Sequence, residues 1–430
     1  MRLRLEIVLC CATLLTGISY AAENSEAQRV QVIKAGRLLD VEAGKVLTNQ
    51  VIVIRGTDIS AVGSATSVTI PKGASIIDLS ARTVLPGLID THTHLTADPE
   101  QPPYAGYGIS APRAALKGAA NARVTLLAGV TTVRNLGADA YTDVALRDAI
   151  NEGDVPGPRM LVSGPALGIT GGHCDDNLLA PEFKFESMGV ADGVEGVRRG
   201  VRRNIKYGVD VIKYCGTGGV FSKGDTPGGQ QYTAAEASAL IDEAHMHGRR
   251  VAVHAHGADG IKVGIRAGVD TVEHASLIDD EGLQLAKQAG VYLSMDIYNT
   301  EYTQSEGPKR GELEEFLRKD REIAEVQRQN FAKAVRMGIK LTFGTDAGVY
   351  RHGDNAKQLA TMVRYGMTPM QALQAATLSG ADALGLKGKV GSIATGHHAD
   401  IIAVNTDPIT DVRAVENVSF VMKDGRVYKQ

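Results

Sequence analysis

The chain has 430 residues, enough for one large barrel or a barrel with a smaller module, and enough to bury a sizeable core without staples. Hydrophobic residues make up 43% and charged residues 22%, which excludes disordered and coiled-coil architectures. A net charge of −3 offers nothing to nucleic acid or to an acidic membrane surface.

The N-terminus reads as an export signal. Met1-Arg2-Leu3-Arg4 is a short basic start, Ile7 to Gly17 is an apolar run, and Ser19-Tyr20-Ala21 leads to a cleavage point near Ala21 or Ala22. The run is too short for a comfortable membrane span. Residues 1–21 are therefore expected to leave, giving a periplasmic or secreted protein with no stable membrane span after cleavage. Cys10 and Cys11 leave with them. Cys174 and Cys215 remain, and in an exported chain a bridge and two buried thiols are equally compatible with that count.

Residues 28–83 read as short strands, among them Gln31–Lys34, Val51–Ile54 and Ile59–Val62, with breaks expected at Gly36, Gly44 and Gly56. The middle, 84–390, alternates strands with helices. Apolar runs ending in Gly, His or Asp occur at Val84–Asp90, Thr131–Asn135, Met160–Ser163, Val209–Tyr214, Val251–His254, Thr271–His274, Val291–Met295 and Leu341–Asp346. Thr233-Ala234-Ala235-Glu236 is a capping box, and Thr368-Pro369 starts another helix. Residues 391–430 turn β-rich again, with Asp400–Val404, Val418–Met422 and an Asp424-Gly425 hairpin turn. The expected architecture is an α/β (β/α)8 TIM barrel, bracketed by a small β-sandwich built from both termini.

Histidines concentrate at the ends of the candidate barrel strands, where this fold places its active site. His92 and His94 are two apart and share a face, although a His-X-His pair alone is more often incidental. Lys213 shares a face with Val209 and Val211; alone, it would read as a snorkelling or salt-bridged lysine. His254, His274 and Asp346 end later runs. Imidazoles and a carboxylate suit zinc-like ions, and coordination left open to water is catalytic.

As a set, Pro86-Gly87-Leu88-Ile89-Asp90-Thr91-His92-Thr93-His94, Lys213, His254, His274 and Thr345-Asp346 resemble the metal framework of the binuclear amidohydrolase superfamily. Gly396–Val404 resembles the returning strand of that family's small β domain. The resemblance implies two divalent metal ions, with Zn2+ expected. His92, His94 and Asp346 hold one, His254 and His274 the other, and Lys213 bridges them as N6-carboxylysine. It further implies hydrolysis of an amide by a metal-bridging hydroxide, with Asp346 relaying the proton to the leaving nitrogen.

Within the superfamily the chain resembles prolidase-like and imidazolonepropionase-related members. Gly171–Asn177 and Leu293–Asn299 point to dipeptidases and carboxypeptidases acting before C-terminal Arg or Lys. Substrate contacts are expected from His173, as donor to the α-carboxylate or scissile carbonyl, from His256, from Tyr232 and from Asp296. His256 serves equally as a helix cap, and Tyr232 as packing. Asp296 suits a guanidinium or ammonium group, or a carboxylate orienting a ligand histidine; Asp175 and Asp176 suit either role. Hydrolysis of X-Pro dipeptides, cyclic amides or esters is the alternative. The partner is a small peptide or N-acyl amino acid, and homo-oligomerisation is open.

Overall fold

The computed structural model describes residues 30–430, and the segment read as an export signal lies outside the described residues. The described chain opens with β1 (Val30–Asp40), β2 (Lys45–Arg55), β3 (Asp58–Ser64) and β4 (Ser75–Pro86). Then come β5 (Leu88–Thr93), β6 (Val130–Asn135), β7 (Arg159–Val162), β8 (Val211–Cys215), β9 (Arg250–Gly257), β10 (Thr271–Leu277), β11 (Tyr292–Ser294) and β12 (Leu341–Thr342). It closes with β13 (Ile401–Val404), β14 (Val418–Lys423) and β15 (Arg426–Lys429).

The two ends form one seven-stranded sheet in the order β15-β14-β13-β4-β1-β2-β3. β13 pairs antiparallel with β4, Ile402 opposite Leu85, so the last strands complete a sheet that the first strands begin. Alternation divides the apolar residues of β13 and β14 between two cores. Ile401, Ala403, Phe420 and Met422 join the sheet's own cluster, whereas Ile402, Val404, Val418 and Val421 pack on the barrel. Arg159 of β7 ties the two units, donating to Asp400 at 2.5 Å and to Asp424.

Two strand limits differ from expectation. Val84–Pro86 pair in the sheet, and the barrel strand starts at Leu88. No break occurs at Gly36: β1 runs through it, so close to neighbouring β4 that a Cβ there would lie 1.8 Å from the Ser80 carbonyl oxygen.

β5 to β12 are parallel and make up the (β/α)8 barrel. They form two hydrogen-bonded runs, β5-β6-β7 and β8-β9-β10-β11-β12. Flanking segments close the ring. On one seam Asp210 N donates to Val162 O at 2.8 Å and Cys215 N to Leu167 O at 2.8 Å; on the other Thr91 N donates to Phe343 O at 2.9 Å and Asp346 N to His92 O at 2.8 Å. The helix Ala234–Met246 starts on the expected Thr233–Glu236 capping box, and Pro369–Gln374 on Thr368. The long helix Glu314–Met337 comes between β11 and β12. Among the described residues, no helix is long and apolar enough to cross a membrane.

Candidate metal centre and substrate cavity

The C-terminal ends of the barrel strands and the loops after them surround a cavity of about 300 Å³. His92, His94, His173, Lys213, His254, His256, His274, Asp296 and Asp346 all line it, brought together from far apart in sequence. His92 Nε2 and His94 Nε2 lie 3.3 and 3.1 Å from the same atom, Asp346 Oδ1. The His274 ring centroid is 5.1 Å from that of His92 and 4.5 Å from that of His254. His274 and Asp346 have φ of 68° and 57°, in the left-handed region that costs a side-chain-bearing residue strain. Strained backbone of this kind is retained where the surrounding structure demands one side-chain direction.

Oxygen atoms lie beside Nδ1 of three of these imidazoles. His92 Nδ1 is 3.1 Å from Glu273 Oε2, His94 Nδ1 is 3.3 Å from Gly137 O, and His274 Nδ1 is 3.0 Å from Asp296 Oδ1. With Nδ1 turned to an oxygen, Nε2 is left for a cation. Glu273 is in turn held by Arg134 Nη2 at 2.8 Å and by the Thr271 hydroxyl at 2.5 Å. Asp90 accepts from the Thr345 hydroxyl at 2.6 Å and from Asn355 at 2.7 Å, fixing the turn that presents Asp346; burial pushes its carboxyl up to about 7.

The electrostatics suit a cation site. Burial holds His92, His254 and His256 well below the ordinary histidine range, so they are neutral and have lone pairs to give. Burial pushes the Lys213 ammonium down to about 8, against the pull of Glu273 and Asp346.

A divalent metal fits the residues present. Potential ligand atoms of His92, His274 and Asp346 lie within 4.8 Å of one another, as do those of His254, His256 and His274. His254 Nε2 and both ring nitrogens of His92 are buried without a hydrogen bond, so the contacts of His92 with carboxylates are close but not aligned as hydrogen bonds. Nitrogen and oxygen donors of this kind take zinc-like ions.

The substrate contacts expected from the sequence fare unevenly. His173 lines the cavity, its ring stacked on that of His254 at 4.0 Å. His256 lies among the histidines, with Nδ1 2.7 Å from the Ser276 hydroxyl, and does not cap a helix. Tyr232 is not brought to the cavity: it is buried, and its hydroxyl donates to Ala191 O at 2.8 Å, a packing role. Asp296 has both oxygens engaged, Oδ1 with His274 and with Gln327 at 3.0 Å, Oδ2 with Asn299 at 2.5 Å. Of its two expected roles the geometry supports orienting His274. Asp175 accepts from backbone N–H groups of Gly171, Asp176 and Ser187, and Asp176 from the Tyr107 hydroxyl, so both shape the loop.

Sequence reasoning missed Arg134, Glu273, Asn299 and Gln327. Arg134 and Glu273 had a signal, each a charged residue inside an apolar run, Thr131–Asn135 and Thr271–His274; Asn299 closes the segment Leu293–Asn299, and Gln327 had none.

Residues 83–428 match the family described as Amidohydrolase family. The chain belongs to that family. It is 33% identical to the ochratoxinase of Aspergillus niger over 434 aligned positions, covering 94% of this chain and 88% of that one. Among solved structures, a Xaa-Pro dipeptidase with bound methionine in the active site superposes with a TM-score of 0.85 at 36% identity, covering 93% of this chain and all of that one. A prolidase complexed with N-methylphosphonate-L-proline superposes with a TM-score of 0.83 at 30% identity, covering 93% and 100%. Family membership makes the protein a metal-dependent hydrolase, and its histidine and aspartate groups are placed to hold the metal.

Proposed function

We propose that this amidohydrolase cleaves the amide bond of dipeptides or N-acyl amino acids, releasing an amino acid with a free carboxylate. The observation that carries the reading is the convergence of His92 Nε2 and His94 Nε2 on Asp346 Oδ1, opposite His254, His274 and Lys213 in one cavity. The similar proteins support an amino-acid product, since one binds methionine and another a phosphonate of L-proline.

His92, His94 and Asp346 would hold one ion, His254 and His274 the other, and Lys213 both. Zinc is our assignment, from the nitrogen and oxygen donor set. Two ions bound there supply Lewis acidity toward the scissile carbonyl and lower the pKa of water. The chain's own residues do the rest. Asp346 is placed to take a proton on its carboxylate and release it to the departing nitrogen. Asp296 and the Gly137 carbonyl keep His274 and His94 in one tautomer, and Glu273 puts a negative charge beside His92. Lys213, with its ammonium weakened by burial, is more often the neutral amine that adds carbon dioxide; as the carbamate it becomes a two-oxygen ligand.

We extend the reading to C-terminal Arg and Lys. Support comes from Asp320, a buried carboxylate on the cavity wall, whose partners Thr300, at 2.9 Å, and Gln304, at 2.7 Å, are both neutral. Export is part of the proposal too, supported by a disulfide between Cys174 and Cys215.

A library of X-Arg, X-Lys, X-Pro and X-Met dipeptides, N-acyl amino acids, cyclic amides and esters, assayed with metal-replete enzyme, tests the reading. Amide hydrolysis that chelators abolish is expected. Turnover of cyclic amides or esters alone, or activity indifferent to chelation, would overturn it. Asp320→Asn should lower kcat/KM for X-Arg and X-Lys about tenfold relative to X-Met; equal losses would remove the basic preference.

A further inference from the structure

The loop from Thr217 to Gln231 gives no residue to the metal cluster, yet it holds a buried polar chain that ends there. Lys319, 2% exposed on the helix Glu314–Met337, donates Nζ to Ser222 O at 2.6 Å and to Asp225 Oδ1 at 2.8 Å. The Ser222 hydroxyl lies 2.7 and 2.8 Å from the two oxygens of Asp225. His173 Nδ1 is 2.8 Å from that same hydroxyl.

Donor counting assigns the protons. Ser222 has one hydroxyl hydrogen. Burial works against charge on Asp225, but the bonds from Lys319 and Ser222 hold its carboxyl below the ordinary value, so it is an acceptor only. The Ser222 hydrogen therefore goes to Asp225, and Ser222 meets His173 Nδ1 as an acceptor. Nδ1 must carry the ring hydrogen, which leaves Nε2 with a lone pair. A neutral His173 in this tautomer cannot donate from Nε2 to a carboxylate or carbonyl, the role expected from the sequence.

The ring is clamped in place. His254 stacks on it at 4.0 Å, and a Cβ on Gly219 would lie 2.2 Å from its Cε1 atom. His173 also stands at a neck. It lines both the metal cavity and an adjoining outer cavity of about 430 Å³, which includes Asp98, Asp175, Asp176 and Glu312 against Lys223 and Arg310. A substrate with its scissile bond at the cluster and its other end outward passes His173 on entering an acid-rich space.

We propose that Ser222, Asp225 and Lys319 hold His173 as a hydrogen-bond acceptor for the free amino group of a dipeptide. The inference rests on the amide-hydrolase reading and narrows it, making dipeptides rather than N-acyl amino acids the preferred class. Ser222, Asp225 and Lys319 are positioning residues, acting through His173.

Two measurements test it. Histidine-selective 15N labelling with long-range 1H–15N correlation, His173→Gln identifying the resonance, should show His173 protonated on Nδ1; a ring protonated on Nε2 overturns the proposal. Kinetics on a matched pair, alanyl-methionine and propionyl-methionine, should favour the alanyl substrate. Asp225→Asn and Ser222→Ala should lower kcat/KM for it about tenfold, mainly through KM, against about twofold for the propionyl compound. Gly219→Ala, which pushes the ring from its seat, should do the same. Equal losses on both substrates, or a wild-type enzyme that prefers the propionyl compound, would sink the assignment. If neither amide is cleaved, the functional reading fails, while the tautomer spectrum still decides how His173 is held.

Discussion

At the scale of single residues, the centre depends on groups that never touch substrate. Arg134 is 1% exposed and Glu273 fully buried, 2.8 Å apart; Arg134 also donates to Thr91 O at 2.7 Å and to the Thr271 hydroxyl at 3.0 Å. Removing one partner of a buried pair strands the other charge, typically at a cost of about 3–5 kcal/mol. Glu273→Gln should therefore lower stability by about 3 kcal/mol in denaturant melts and weaken metal retention, since His92 loses its anionic neighbour. Replacing both residues with apolar ones should cost less than the sum of the single changes. The ligand residues were legible in the sequence because each ends an apolar run. Their supports were not: Glu273 sits 139 positions from Arg134, and hydrogen bonding across the barrel leaves no local pattern. Asp296 shows the limit well. Its place at a strand end was readable, but its commitment to His274, Gln327 and Asn299 was not.

At the scale of elements, the eight barrel strands were visible as apolar runs, because parallel strands covered on both faces carry few polar residues. Their limits were less visible. β11 and β12 keep only Tyr292–Ser294 and Leu341–Thr342 as regular strand, the chain beyond them bending to present Asp296 and Asp346. The loop after β7 is the element most exposed to perturbation. It holds His173 and is tied by Cys174 to Cys215 at the end of β8, across 41 positions. Closing a loop of that length restrains the unfolded chain by up to about 4 kcal/mol. Replacing Cys174 and Cys215 together by serine should lower stability by about 2–4 kcal/mol and raise KM more than it lowers kcat, as the His173 loop loosens. A thermal melt and steady-state kinetics, each with and without reductant on the parent enzyme, check both halves. Unchanged KM would show that the ring is held without the disulfide.

At the scale of the molecule, the terminal sheet and the barrel are not separable. β4 runs into β5 with only Gly87 between them, and the first metal-facing histidines lie on or just after β5. Cutting the chain after Ala399 removes β13 to β15. It opens the β4 edge at Val84–Pro86, uncovers Leu85 and takes both acidic partners from Arg159. An open strand edge beside apolar surface invites association. The truncated protein should be found mainly in the insoluble fraction, or as soluble aggregate by size exclusion; a soluble, metal-retaining monomer would show that the barrel stands alone.

The pairing of β13 between β4 and β14 also orders events in time. A ribosome making this chain releases β1 to β4 first, but their sheet stays unfinished until β13 to β15 emerge. The strands that emerge first are thus among the last to be fully paired, and the β4 edge stays open while the whole barrel is made.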